Sequence, residues 1–341
     1  MHGLKSSMTS PHNIALCQVL CITDTVIIGD LTIFSRKILG NGFFGTVFEG
    51  QWHKKPCAVK VLSPLGQELL TGLPITQQDN VQEEALLKFK KECDFMKSYE
   101  HPNIVAYYNT VFYPDCNLPV LVMELMQTSL RRYIHEGAVM SVKIQVSLSY
   151  NIASALEYLH NKGLVHRDLC GDNIPLNYDQ DIPVAKVSDF GISRIIVKPD
   201  QLSHSLTALG HRPGYLPPEA FSIDPTDYNS SLDIFMFGVV MTQIASKVPT
   251  VDSYHQRQKL VSQLDDQHPL KPFIHQCLSE KREERPSAST LLSLLSRALH
   301  LREECPSFDI ASRLYILVGF AVAIHIIIMP VSPVLHEIFV G

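Results

Sequence analysis

The order of apolar runs along the 341 residues predicts an α+β chain of two lobes with a cleft between them. Three observations carry that reading. Short β-branched runs broken by glycine fill the stretch up to Leu62. One segment of helical periodicity follows, with Ala85, Leu86, Phe89, Cys93 and Met96 spaced three or four residues apart. After Thr128 the apolar spacing is mainly helical, so a small β-rich half with one helix precedes a larger helical half.

Thr25 to Gly29 and Thr32 to Phe34 read as strands leading into a glycine-rich turn, and Val47 to Gly50 with Cys57 to Leu62 continue an antiparallel meander. Ser63 to Asn80, with its prolines and glycines, reads as an irregular connection, and the helix is expected from Val81 until His101-Pro-Asn breaks it. Strands return at Ile104 to Tyr107 and Val120 to Met123. Helices are expected over Ile144 to Leu159 and Ser231 to Ile244, with short strands and loops over Leu164 to Ala220.

Hydrophobic residues at 45% supply a sizeable core, and 18% charged residues argue against wholesale disorder. A formal charge of -5 provides no basic field, so no nucleic-acid partner is expected. The eight cysteines form no C-x-x-C pair, which weighs against a zinc site and fits a reducing compartment. Residues 1–29 form a lead segment without a secretory signal or an interpretable motif.

The segment Leu39, Gly40, Asn41, Gly42, Phe43, Phe44, Gly45, Thr46, Val47 spells G-x-G-x-x-G-x-V. Its glycines let the backbone approach phosphate oxygens, and the strand that follows, where a dinucleotide fold needs a helix, sets it apart from that fingerprint. Lys60 follows on a strand, where an ammonium can hold α- and β-phosphates, and Glu92 on the helix can pair with it. In the run from His166 to Asn173, Asp168 stands five residues before Asn173. That spacing supplies a base for a substrate hydroxyl and an oxygen ligand for Mg²⁺. Asp189-Phe-Gly then adds a carboxylate for a metal bridging phosphates.

In this order the motifs resemble the eukaryotic protein kinase family, over roughly residues 30 to 300, and within it the tyrosine-kinase-like group. Pro217-Pro218-Glu219, Asp233 and Arg285 extend the match, the arginine being the one that pairs with Glu219 in the family. The resemblance implies a bilobal kinase domain over 30–302, with its N-lobe over 30–124 and its C-lobe over 125–302. It also implies transfer of the ATP γ-phosphoryl group to Ser or Thr of protein substrates, Tyr being the other option. Lys60 would bind phosphate and Glu92 would fix it, Asp168 would orient the acceptor, and Asn173 with Asp189 would hold Mg²⁺. Glu124 and Met126 would offer backbone groups to adenine, Met123 would guard the rear of the pocket, and Val47 with Ala58 would cap the ring.

Four positions depart from the family pattern. Cys170 stands where serine/threonine kinases carry lysine, Asp172 and Cys170 stand where tyrosine kinases carry arginine, Arg212 replaces a threonine or proline, and Pro175 replaces a leucine under the adenine. None removes a metal ligand or the base. A pseudokinase scaffold and a membrane-bound adaptor are the rival readings. Arg167 lies beside the activation segment in kinases that resemble this one, which makes Ser203, Ser205 and above all Thr207 candidate phosphosites. Residues 303–341 read as a linker and tail whose apolar stretch, about 314–335, is expected to anchor a cytosolic kinase domain by a single C-terminal membrane helix. Arg302 and Arg313 stand on its cytosolic side.

Overall fold

The computed structural model describes residue 20 and residues 23–42, 45–62, 75–114, 118–178, 182–190, 194–195, 213–221 and 229–304. Phe43, Phe44, Arg212, the three candidate phosphosites and the apolar tail at 314–335 lie outside these residues. Among the described residues no helix is long and apolar enough to cross a membrane.

The small lobe is built on strands β1 (Thr25–Ile28), β2 (Leu31–Gly42), β3 (Gly45–Trp52) and β4 (Lys55–Val61), helix α1 (Ile75–Ser98), and strands β5 (Tyr107–Phe112) and β6 (Pro119–Met123). The strands form one antiparallel sheet in the order β1-β2-β3-β4-β6-β5. The two-residue period splits its apolar side chains between two faces. Val59, Val61, Val120 and Val122 join Leu31 and Ile33 on one side, with Leu20 and β1 covering the end of that core. Leu121 points the other way, into the cluster that holds Phe89, Cys93 and Met96 of α1 and runs on into the large lobe. The sheet therefore draws residues from the lead segment 1–29.

Helix α1 begins at Ile75, before the expected start at Val81 and inside the stretch read as irregular. Thr76, Gln77, Gln78, Asp79 and Asn80 carry no apolar periodicity, so the first turns are invisible to a pattern search although glutamine is a good helix former.

The large lobe holds β7 (Thr128–Ser129), α2 (Leu130–His135), α3 (Val142–Asn161), β8 (Leu164–Val165), β9 (Pro175–Asn177), β10 (Val184–Ala185) and β11 (Arg194–Ile195). It continues with α4 (Ser231–Ser246), α5 (Tyr254–Gln263), α6 (Lys271–Cys277) and α7 (Ala288–Glu304). Ser141 caps α3, its hydroxyl accepting from the Ile144 N–H at 3.3 Å. Helix α4 is buried on every side from Leu232 to Ile244, the polar Asp233, Thr242 and Gln243 included. At Gly238 an added Cβ would come 2.8 Å from Cys277 Cβ, so glycine there lets α6 close on α4. Helix α7 packs along α3.

Backbone bonds join the lobes beside the cleft. The Val105 N–H donates to Val187 O (3.1 Å) and the Val187 N–H to Asn103 O (2.8 Å), while inside the small lobe the Glu124 N–H donates to Ala106 O (2.9 Å). The bilobal arrangement read from the order of elements is the one observed.

Candidate active site

A cleft of about 640 Å³ runs between the lobes, within the size range of small-molecule sites. Its upper wall comes from β2, β3 and β4. Pairing of Gly42 with Gly45 closes the β2–β3 hairpin, and Leu39, Gly40, Asn41 and Gly45 line the cleft below it. A Cβ on Gly45 would fall 2.5 Å from Val61 O, so only glycine permits β3 to approach β4 this closely. The register Val47↔Lys60, Lys60↔Leu121 and Ala58↔Met123 places Val47, Ala58, Lys60 and Met123 along the same wall.

Lys60 and Glu92 meet in the interior, 5% and 2% exposed. Lys60 Nζ donates to Glu92 Oε1 (2.7 Å) and Oε2 (2.8 Å), and reaches Asp189 Oδ1 at 3.3 Å. Burial works to lower the lysine pKa, but the charges of Asp189 and Glu92 outweigh it and hold the pKa above the ordinary lysine value. A permanently charged ammonium is thereby fixed in the cleft by groups from α1 and from the loop after β10.

That loop is held by its aromatic residue. Phe190 is buried, stacks on Phe95 of α1 (4.5 Å between centroids) and meets His166 edge-on at 5.1 Å. With Phe190 turned inward, Asp189 faces the cleft, its backbone in the left-handed region at φ 63°. Arg167, at φ 73°, is a second non-glycine residue in that region. Such conformations persist only where the surroundings enforce them. At Arg167, Asp233 does so: its carboxylate accepts from the N–H groups of His166 and Arg167, both at 2.8 Å, and from His160 Nε2 at 2.9 Å. Burial would raise the Asp233 pKa, yet its bond to His160 and the histidine charges bring it below the usual aspartate value.

The chain so positioned carries Asp168 and Asn173 on the floor of the cleft. Asn173 Nδ2 donates to Asp168 O (2.8 Å) and Oδ2 (2.9 Å), locking the two side chains together. The amide nitrogen is thus committed, which leaves Asn173 Oδ1 as the donor atom for a cation.

The sequence from residue 33 to residue 295 matches the family model for protein tyrosine and serine/threonine kinases. The chain belongs to that family. It is 28% identical over 281 residues to the serine/threonine-protein kinase CTR1 of Arabidopsis thaliana, an alignment covering 78% of this chain and 31% of the relative. With the Arabidopsis thaliana leaf rust 10 disease-resistance locus receptor-like protein kinase-like 1.4 it shares 31% over 231 residues, 67% of this chain and 31% of that protein. With the dual specificity protein kinase shkC of Dictyostelium discoideum it shares 26% over 282 residues, 77% and 51% of the two chains. These similarities fit the tyrosine-kinase-like group. The chain spans about a third to a half of the length of these relatives.

The remaining kinase-site positions divide cleanly. Glu124, Met126 and Pro175 line the cleft with Met123. Pro175 opens β9, and the adjacent bonds use its carbonyl, which accepts from the Lys186 N–H at 3.0 Å. A proline tolerated at the start of a strand explains how the leucine position could change without breaking the sheet. Cys170 also lines the cleft, and burial pushes its thiol up to about 12, so it stands there as a neutral, weakly polar group. Asp172 pairs with Arg131 at 3.2 Å. Glu219 and Arg285 meet as the resemblance implied, with Arg285 Nη2 donating to Glu219 Oε2 at 2.8 Å.

Sequence reasoning missed several members of the site. Val105, Ser188, Tyr215 and Met236 line the cleft without any motif to announce them. The Glu124 carboxylate accepts from Lys186 Nζ at 2.7 and 2.8 Å and from the Ala106 N–H at 3.1 Å, an ion pair that ties the strand before Asp189 to the segment joining the lobes. No local signal links residues 62 positions apart.

Proposed function

We propose that this chain is an ATP-dependent protein kinase that phosphorylates serine and threonine hydroxyls of proteins in intracellular signalling. The observation that carries the proposal is the convergence of Lys60, Glu92 and Asp189 across one cleft from the locked Asp168–Asn173 pair. The fixed Lys60 ammonium would neutralise phosphate charge, and the Gly40–Gly45 backbone would cover the phosphates. Asp168 would orient the acceptor hydroxyl and take its proton as the oxygen bonds to the γ-phosphorus and ADP leaves. Glu124 has its N–H committed to Ala106, so its carbonyl and the Met126 backbone would meet the adenine.

The donor set fits Mg²⁺. Asp189 and the oxygen of Asn173 are hard ligands facing one space, and a cation that keeps waters and substrate phosphates needs only one or two such groups from the protein. When bound, the ion supplies charge neutralisation at the phosphates, and Asp189 and Asn173 would hold it.

Serine/threonine specificity is supported by the similarity to the serine/threonine-protein kinase CTR1, and the similarity to the dual specificity protein kinase shkC keeps tyrosine as the alternative. Phosphoamino-acid analysis of an acceptor labelled by the purified protein decides between them: phosphoserine and phosphothreonine are expected, and phosphotyrosine alone would overturn the assignment. The apolar composition of 314–335 supports a tail anchor with the kinase domain, 30–302, in the cytosol. Release of the full chain by alkaline carbonate would refute the anchor.

A further inference from the structure

Arg257 of α5 is a buried charge, 5% exposed, with no part in the chemistry above. Its guanidinium Nη1 donates to Gly214 O at 2.6 Å and lies 3.5 Å from Leu216 O. Its Cζ sits 4.7 Å from the ring centroid of Phe235 and 5.0 Å from that of Tyr254. The Phe235 ring also carries Arg285, at 4.8 Å, and Arg285 grips Glu219. One aromatic ring on the buried helix α4 therefore seats two cations, and these hold the two ends of the segment 213–221. Cation–π seats of this kind gain strength when desolvated.

Between those ends lies Tyr215, which lines the cleft together with Asp168. Its hydroxyl donates to Gln243 Oε1 at 2.7 Å, and Gln243 Nε2 donates in turn to Pro249 O at 2.7 Å. The residue before it, Gly214, is pressed against the chain that leads into α5: an added Cβ would lie 2.3 Å from Val251 O and 2.9 Å from Ser253 N. Ser253 then caps α5, accepting from the Gln256 N–H at 3.2 Å. The carbonyls on either side of Tyr215 are both turned toward Arg257, so the conformation of this part of the cleft wall depends on a side chain outside the cleft.

We propose that Arg257, seated on Phe235, is a positioning residue for the protein acceptor: it fixes Gly214 and Leu216 so that Tyr215 and the large-lobe wall beside Asp168 are preformed to receive a polypeptide. The inference rests on the kinase reading and deepens it. ATP meets the hinge, Lys60 and the glycine-rich turn, none of which touches Arg257, so acceptor and nucleotide respond differently to its loss. A purely structural arginine would disturb both.

The test compares Arg257→Met and Arg257→Lys with the parent, using casein as acceptor at saturating ATP. Nucleotide affinity is read separately by displacement of a fluorescent ATP analogue. Loss of one charge-assisted hydrogen bond to the wall predicts a KM for casein raised roughly tenfold in Arg257→Met. Arg257→Lys should fall between, since an ammonium reaches Gly214 O but lacks the planar fork and stacking surface. Nucleotide affinity should stay within about twofold of the parent in both. An unchanged casein KM, or nucleotide affinity falling by the same factor as acceptor affinity, overturns the proposal. Should Arg257→Met fail to fold, Arg257→Lys alone must show the raised casein KM with parental nucleotide affinity. A parent that binds nucleotide but labels neither casein nor itself overturns the kinase reading and this inference with it. A parent that labels casein as Arg257→Met does overturns the inference alone.

Discussion

Replacing Lys60 by methionine removes the ammonium that bonds both Glu92 and Asp189, and two separable consequences are expected. The first is catalytic. A preorganised charge lost from the phosphate side of a buried site costs about 10²–10³ in rate, or about 3–4 kcal/mol of transition-state stabilisation. The second concerns folding. Breaking a buried pair by deleting one partner costs about 3–5 kcal/mol when the remaining charge stays ionised. Glu92 need not stay ionised, because burial already pushes its pKa up to about 6 with Lys60 present. Without the lysine that pKa rises further, and the carboxyl takes up a proton in the folded state. A carboxyl whose folded pKa lies above its unfolded value destabilises the fold increasingly as pH rises through that interval. The stability gap between parent and variant should therefore be small near about pH 5.5 and widen toward about pH 8. Thermal unfolding at the two pH values and transfer of label from γ-labelled ATP to casein measure the two effects. A variant with turnover within about tenfold of the parent, or a stability gap independent of pH, would refute the reasoning.

Two other expectations follow from named contacts and a third from the sequence. Asp233→Ala leaves the buried N–H groups of His166 and Arg167 without their acceptor, at roughly 1–3 kcal/mol each, so urea unfolding should show a loss of several kcal/mol. Because the folded pKa of Asp233 lies below the usual value, its contribution is complete above about pH 4 and disappears as pH falls through the folded value, so acidification should close the gap between parent and variant. Glu219→Ala strands the fully buried guanidinium of Arg285 and should cost about 3–5 kcal/mol, whereas Glu219→Met with Arg285→Met should recover part of it in the same thermal assay. Phosphatase treatment of active protein should lower its rate, and Thr207→Ala should reproduce that loss more fully than Ser203→Ala or Ser205→Ala; equal rates throughout would remove the proposed switch.

Much of the site was legible because phosphoryl transfer demands particular residue types at fixed local spacings. Gly40, Gly42 and Gly45 sit on one hairpin, Asp168 and Asn173 on one loop, and each group could be read without knowing the fold. The Lys60–Glu92 pair was legible for a different reason: the lysine stands on a strand just past the glycine-rich turn, the glutamate on the helix whose period shows, and the ordered set of motifs joins them, whereas the burial of both showed only in the structure. What escaped depends on contacts between distant segments. Lys186 pairs with Glu124, and Arg257 with Gly214, through tertiary packing that leaves no trace in spacing. The hairpin between β3 and β4 turns on His53 and Lys54, both in the left-handed region, where the usual signal would be asparagine or glycine. Helix α1 hid its first turns behind polar residues, and the burial of α4 on all sides showed only once α3, α6 and the segment 213–221 were packed around it.

The central claim is that Asp168 serves protein phosphorylation in this chain. Purified protein incubated with γ-labelled ATP, Mg²⁺ and casein, beside Asp168→Asn, measures it most directly. Label on casein is expected from the parent, with a rate lower by about 10²-fold or more in the variant and nucleotide binding retained in both. Equal labelling by parent and variant would contradict it, as would a parent that binds ATP and transfers nothing.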